Sequence, residues 1–257
     1  MHVPVRPESL RMKKVVITGA GSGIGMATSI ACVSAGFYVI AADSDRLGLK
    51  TLQAQLPVHR LETHLVDLSG TQLSQGFISD LYATHKHRTL HALVNNVGAQ
   101  TGQGRAAYSE QDIAALHEVN FTSLMNLSSD FARQEPDAPH TRSIVNINAA
   151  SDGAGEEAFY HATGARMIDL TRANAWSFGP RVRVNAVSSP LNPDAFAAKQ
   201  SVENWLGQPA YEHERQRFAT TSFQPGAVAD AVMFLLSEHS HPLTGKVIVA
   251  GNATHPF

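Results

Sequence analysis

Short apolar runs alternate with longer mixed runs along the chain. Residues 13–18 (KKVVIT) form a β-rich run, a glycine-rich turn follows, and 25–35 reads as a helix whose small residues can face a sheet. A second apolar strand is predicted over 37–43 (FYVIAAD), a polar helix over about 46–55, and a third strand over 62–66. A helical segment around 73–85 leads to a fourth strand, 90–96 (LHALVNN), and a long helical pattern runs over 110–133 until QEPDAPHT ends it. Residues 143–149 (SIVNINA) predict a fifth strand, 158–177 a helix, 182–188 (VRVNAVS) a sixth strand, 228–236 a helix and 245–251 (GKVIVAG) a closing strand. Strands that recur with helices between them require crossover connections. Near-continuous Val/Ile/Leu strands require cover on both faces. The pattern therefore predicts an α/β fold: a doubly wound parallel sheet in a three-layer α/β/α sandwich, built as a single domain over 13–257 behind an N-terminal arm, 1–12. Residues 189–224 interrupt the alternation with Pro-containing pieces, and are expected to form a substrate lid beyond the strand carboxyl ends.

Composition narrows the function more than the fold. A formal charge of -2 supplies no basic field, so neither nucleic acid nor an anionic membrane is an expected partner. Cys32 is the one cysteine, it lies in an apolar helical pattern, and a reducing cytoplasm is the expected location. The first residues, MHVPVRPESLRM, contain no apolar run of a signal peptide, and no stretch of about 18 apolar residues predicts a membrane span. The 13 histidines are scattered without the spacing of zinc ligands, so no metal site is expected.

Candidate chemistry begins at TGAGSGIG, 18–25, placed directly after the first strand and at the opening of the first helix. Gly19, Gly23 and Gly25 permit a tight turn, close approach of the backbone to a pyrophosphate, and close helix packing. The helix N-terminus behind them offers N–H groups and a partial positive charge to phosphates. Asp43 ends the second strand about 20 residues later, where a carboxylate can accept hydrogen bonds from the adenosine ribose and would repel a 2′-phosphate. Ser22 stands in the turn where a basic residue would serve NADP; Arg46 is the nearest cation. The expected fold is thus Rossmann-type and the expected cofactor NAD.

Further motifs carry a resemblance to the short-chain dehydrogenase/reductase family along nearly the whole chain. TGxxxGIG, with Ser22 and Ile24 inside it, is similar to that family's turn; LVDLS, with Asp67 and Leu68, resembles its adenine-contacting segment. NNVG (Asn95, Val97, Gly98) resembles its NNAG strand end, HEVNFTS places Asn120 at its catalytic asparagine, and RVNAV followed by TGKVIVAG matches its late strands. The resemblance implies oxidoreductase chemistry on a carbonyl or alcohol of a small molecule. Tyr160 would be the acid, Asn120 would organise a water relay, and Ser151 or Asn148 would hold the substrate oxygen. It also implies a homodimer or homotetramer through helices around 121–133 and 158–177.

Three positions depart from the family pattern. The lysine four residues after the catalytic tyrosine is Gly164, the serine at the end of the fifth strand is Ala149, and the Pro-Gly after the sixth strand is Ser189-Pro190. A free tyrosine ionises near pH 10, and bringing it to neutrality takes about 4 kcal/mol of phenolate stabilisation, much of which the lysine supplies in the family. Gly164 supplies none, so carbonyl reduction, which needs only a proton donor, is the expected direction. The alternative is a catalytically inactive NAD(H)-binding pseudoenzyme, a sensor or partner subunit that keeps the turn without the chemistry.

Overall fold

The computed structural model describes residues 13–68, 71–84, 90–96, 110–135, 141–150, 158–190 and 225–250, without side-chain surroundings at 71–72, 84, 112–113, 115–116, 149–150, 158–164 and 189–190. The chain alternates strand and helix: β1 Lys14–Thr18, α1 Gly23–Ser34, β2 Tyr38–Asp43, α2 Arg46–Gln55 and β3 Leu61–Leu65. Two short helices follow, α3 Thr71–Ser74 and α4 Phe77–Thr84, then β4 Ala92–Asn95. The segment from α5 (Glu110–His117) passes through a π turn, Glu118–Thr122, into α6 (Ser123–Arg133). The last elements are β5 Arg142–Ala150, α7 Ala158–Phe178, β6 Val182–Pro190, α8 Pro225–Leu236 and β7 Val247–Val249.

All strands pair in parallel in one seven-stranded sheet, ordered β3-β2-β1-β4-β5-β6-β7. The expected doubly wound parallel sheet of the Rossmann type is what the chain forms. Its alternation of side chains explains why the strands are apolar throughout. Val15, Ile17, Val39, Ala41, Val94, Val145 and Val187 face α1, α2 and α8, whereas Val16, Ile40, Leu93, Ile144 and Val184 face α4, α6 and α7. The chain winds outward through β2 and β3 on one side of β1, and through β4 to β7 on the other. The reversal opens a crevice at the carboxyl ends of β1 and β4, the place where open α/β sheets hold ligands.

Element boundaries shift from the sequence expectation for local reasons. The 73–85 helix is broken at Gly76, whose φ of 88° ends α3. Helix α8 begins at Pro225 rather than at 228, since proline is at ease in a first helical turn. Strand β6 runs on through Ser189 and Pro190, paired with Ala149 and Ala150 of β5, so the first two residues assigned to the lid are strand; 191–224 lie outside the described residues.

Two arginines enter the interior at the amino ends of the strands, remote from the crevice. Arg142 of β5 donates to the carbonyls of Phe131 (2.7 Å) and Ala132 (3.2 Å) at the end of α6, with its guanidinium 5.0 Å from the Phe131 ring centre. Arg183 of β6 donates to Leu235, Ser240 and Leu243 carbonyls at and beyond the end of α8. Each brings guanidinium donors to carbonyls at and just beyond a helix C-terminus, where intrahelical N–H donors run out, and burial pulls both guanidinium groups below the usual arginine range. Among the described residues no helix is long and apolar enough to cross a membrane.

Cys32 is wholly buried on α1 against Met233 of α8, and burial pushes its thiol from 9.0 up to about 12. Above pH 9 the unfolded chain ionises at Cys32 while the folded chain does not, so unfolding releases a proton. Stability should therefore fall by about 1 kcal/mol per pH unit from this residue between pH 9 and about 12. Urea midpoints across that range should show this increment in the parent, and a Cys32→Ala variant should lack it.

Candidate active site

The turn after β1 owes its form to the absence of side chains. Gly19 has φ 60° and Gly23 φ 49°, left-handed conformations that glycine adopts freely. A Cβ on Gly25 would stand 1.9 Å from the Gly19 carbonyl oxygen, so α1 can close on the turn only because this position is glycine. A Cβ on Gly23 would meet nothing within 4 Å among the described residues, which leaves space between them in front of the first turn of α1. Ser22, at the N-cap, makes no side-chain cap bond, and Ile24 is partly exposed beside it. First-turn N–H groups without intrahelical partners, the space beside Gly23 and the helix dipole together fit a pyrophosphate. The shape of the turn thus fits the dinucleotide expected from the sequence.

Asp43 closes one side of this cradle. Its Oδ2 accepts the Gly21 N–H at 2.7 Å, and its Oδ1 accepts the Asp45 N–H at 2.8 Å. The carboxylate is thus oriented by backbone on two sides, with lone pairs left for ribose hydroxyls. Asp67 is exposed and Leu68 buried just after β3, and the Val66 N–H bonds the Asp43 carbonyl at 2.9 Å, which ties this segment to the end of β2.

The other side is closed by β4, and here the two asparagines divide the work. Asn96, not singled out by the sequence reading, donates its Nδ2 to the Gly19 carbonyl at 3.0 Å and its backbone N–H to Thr18 Oγ1 at 2.9 Å. Asn95 turns inward instead. Its Nδ2 bonds Ser128 of α6 (3.1 Å) and Asn146 of β5 (2.9 Å), and Asn146 in turn donates to Thr171 of α7 at 2.9 Å. The Oδ1 of Asn95 is buried with no hydrogen-bond partner among the described residues. This internal chain fixes α6 and α7, the helices nearest Asn120 and Tyr160, to the strand ends. Asn95 therefore supports the site from beneath, and the contact with the turn is made by its neighbour.

Asn120 is buried in the middle of the π turn between α5 and α6, where the sequence pattern predicts an unbroken helix. A π turn widens the helix by one residue and is characteristic of functional positions. Tyr160 and Gly164 both lie in α7, four residues apart and so on one helical face. Ala149 lies at the carboxyl end of β5, with Asn148 buried before it. The side chains of Tyr160 and Ala149, and all of Val97, Gly98 and Ser151, lie outside the described residues.

Comparison with known proteins agrees with this geometry over almost the whole chain. The sequence model of the family described as enoyl-(acyl carrier protein) reductase matches residues 19–252. The chain is 31% identical to the (5R,7aS)-5-hydroxy-7a-methyl-1-oxo-2,3,5,6,7,7a-hexahydro-1H-indene-carboxyl-CoA reductase of Mycobacterium tuberculosis over 252 residues, 95% of this chain and 93% of that one. It is 27% identical to L-xylulose reductase of Mesocricetus auratus, over 92% of this chain and 93% of the relative. Among solved structures, a short-chain dehydrogenase/reductase from Burkholderia xenovorans superposes with a TM-score of 0.78 at 25% identity, covering 96% and 99% of the two chains.

Proposed function

The chain belongs to the short-chain dehydrogenase/reductase family, and on that premise we propose that it is an NAD(H)-dependent oxidoreductase that reduces a carbonyl group of a small molecule. The observation that carries this reading is the cradle itself: a turn that excludes any Cβ at Gly25, space before α1 among the described residues, and a carboxylate held at Asp43. The reductase names of the relatives support the reaction class. The preference for NAD rests on charge, because Asp43 would repel a 2′-phosphate and Ser22 offers no cation to attract one.

Bound nicotinamide supplies the hydride. The protein's own contribution is to bind and orient: α1 and the turn hold the phosphates, Asp43 the ribose, and Asn96 the edge of the turn. Tyr160 serves as the proton donor to the carbonyl oxygen, a role that a neutral phenol can fill without a neighbouring lysine. Asn120 stands as the organiser of a water relay, with Ser151 or Asn148 against the substrate oxygen. Trp176, 90% exposed on α7, favours association of copies through that helix, which sedimentation would measure.

Gly164 favours a second reading, an NAD(H)-binding sensor without turnover, since it leaves the phenol without its usual cation. One experiment separates the two. Saturating NADH should raise the melting temperature, and NADH should be consumed over a panel of ketoses, simple ketones and oxoacyl thioesters. Tyr160→Phe should lower turnover at least about tenfold, the low side of a general-acid contribution, without weakening NADH. No NADH-induced stabilisation would overturn both readings. Stabilisation with no turnover above the Phe variant would leave the sensor.

A further inference from the structure

We propose that Ser123 is a positioning residue for Asn120: its hydroxyl pins the π turn on which Asn120 sits. The assignment rests on the reading above that Asn120 organises the proton relay of a reductase. Its basis is one carbonyl that receives two bonds from one residue. The Glu118 carbonyl oxygen accepts the Ser123 backbone N–H, a bond five residues long that belongs to a π turn, and it also accepts the Ser123 hydroxyl at 3.1 Å. Within the α-helices of this chain the pattern is shorter: the hydroxyls of Ser29, Thr51 and Thr171 bond carbonyls four residues back, at Gly25, Leu47 and Met167. Residues five apart in an α-helix stand about 140° from each other round the axis, so a serine there points away from the fifth carbonyl. The Ser123 hydroxyl bond therefore fits the π register and is lost if the turn reverts to α.

Two features make Asn120 the residue that depends on this bond. Ser123 and Asn120 are both buried, so bulk water does not take over a bond that is lost. The α6 side of the turn is also held. Asn126 donates to Ser74 of α3 (3.1 Å), Ser128 accepts from Asn95 of β4 (3.1 Å), and Asp130 accepts the Ser79 N–H of α4 (3.0 Å), which fixes the rotation of α6 just after the turn. Slack released at Ser123 therefore falls on 118–122, with Asn120 at its centre.

The test combines hydrogen–deuterium exchange, read on peptides of the full chain, with steady-state NADH turnover on a carbonyl substrate of the panel above. Ser123→Ala should speed exchange of the 118–123 amides about tenfold and leave the later amides of α6 unchanged, because a local opening loses one bond. Its kcat should fall about fivefold to tenfold, with the KM for NADH unchanged. Ser123→Thr keeps a hydroxyl and should keep both the slow exchange and the turnover. In an Asn120→Ala background, Ser123→Ala should change kcat by less than about twofold, since a residue that acts through Asn120 has nothing left to position. Unchanged exchange in Ser123→Ala, or a Thr variant as fast as Ala, would overturn the assignment and leave the reductase reading standing. So would a loss of kcat that multiplies with that of Asn120→Ala, which would mean that Ser123 acts by another route. A parent chain with no turnover above Tyr160→Phe would overturn the reductase reading, and this assignment with it, whatever the exchange.

Discussion

Gly25→Ala should abolish stabilisation by NADH and lower the stability of the fold by about 3 kcal/mol, the upper part of the range for an overpacked site. The added carbon would stand 1.9 Å from the Gly19 carbonyl oxygen, 2.7 Å from the Gly19 carbonyl carbon and 2.7 Å from Asn96 Nδ2. Two of those atoms are backbone, so no side-chain rotation relieves the collision. Relief requires α1 to draw back from β1, and that movement carries its first-turn N–H groups away from the phosphates. The third atom is the amide that ties β4 to the turn at 3.0 Å, so the same displacement opens the crevice. Gly23→Ala makes the informative comparison. Its φ of 49° strains an alanine by about 1–2 kcal/mol, but its Cβ would meet nothing within 4 Å among the described residues. Thermal melts with and without saturating NADH should therefore rank Gly25→Ala far below Gly23→Ala in both stability and ligand shift. NADH binding by Gly25→Ala within about threefold of the parent would mean that the turn is not the cradle; a defect of that size is under 1 kcal/mol.

The sheet was legible because a parallel strand covered on both faces has to be an apolar run, and such runs have visible ends. Predicted and observed strands accordingly differ by a residue or two, as for 62–66 against Leu61–Leu65. Events inside helices were not legible. The pattern of 110–133 runs unbroken through the π turn at Asn120, since one extra residue in a turn changes hydrogen bonding but hardly disturbs an apolar stripe. Polar residues were legible by type and hidden by direction. Asn95 and Asn96 are adjacent, so in a strand they point to opposite faces. Which of them meets the turn depends on the register of β4 against β1, where Val94 lies beside Ile17. Arg142 and Arg183 carry no sign of burial in a linear sequence. Only the arrival of the α6 and α8 carboxyl ends beside them turns them into buried caps. Asp43 was legible as the acid that ends β2, yet its partner Gly21 lies 22 residues away, beyond the reach of local pattern.

Restoring the two departures together, Gly164→Lys with Ala149→Ser, should raise NAD-dependent alcohol oxidation at pH 7 by about a hundredfold or more. Helix α7 sets residues 160 and 164 four apart on one face, so a lysine at 164 would put its charge beside the Tyr160 phenol. A positive charge within a few ångströms favours the ionised form and lowers an acid's pKa by about 1–3 units. Each unit is a factor of about ten in the fraction of base present at neutral pH. Oxidation consumes that base directly, whereas reduction draws on the neutral phenol, so the gain should be much larger for oxidation. The pH profile carries the sign. If the phenol of the parent is the base and keeps the ordinary tyrosine value, oxidation should climb steadily towards pH 10; in the double variant it should level off one to three units lower. Serine at 149, at the carboxyl end of β5, adds a donor to the substrate oxygen and should lower KM in both directions. Equal oxidation by parent and variant, with the same pH profile, would mean that a group other than Tyr160 removes the proton. A gain in turnover without the shift in profile would mean that lysine acts by holding the nucleotide and not by tuning the phenol.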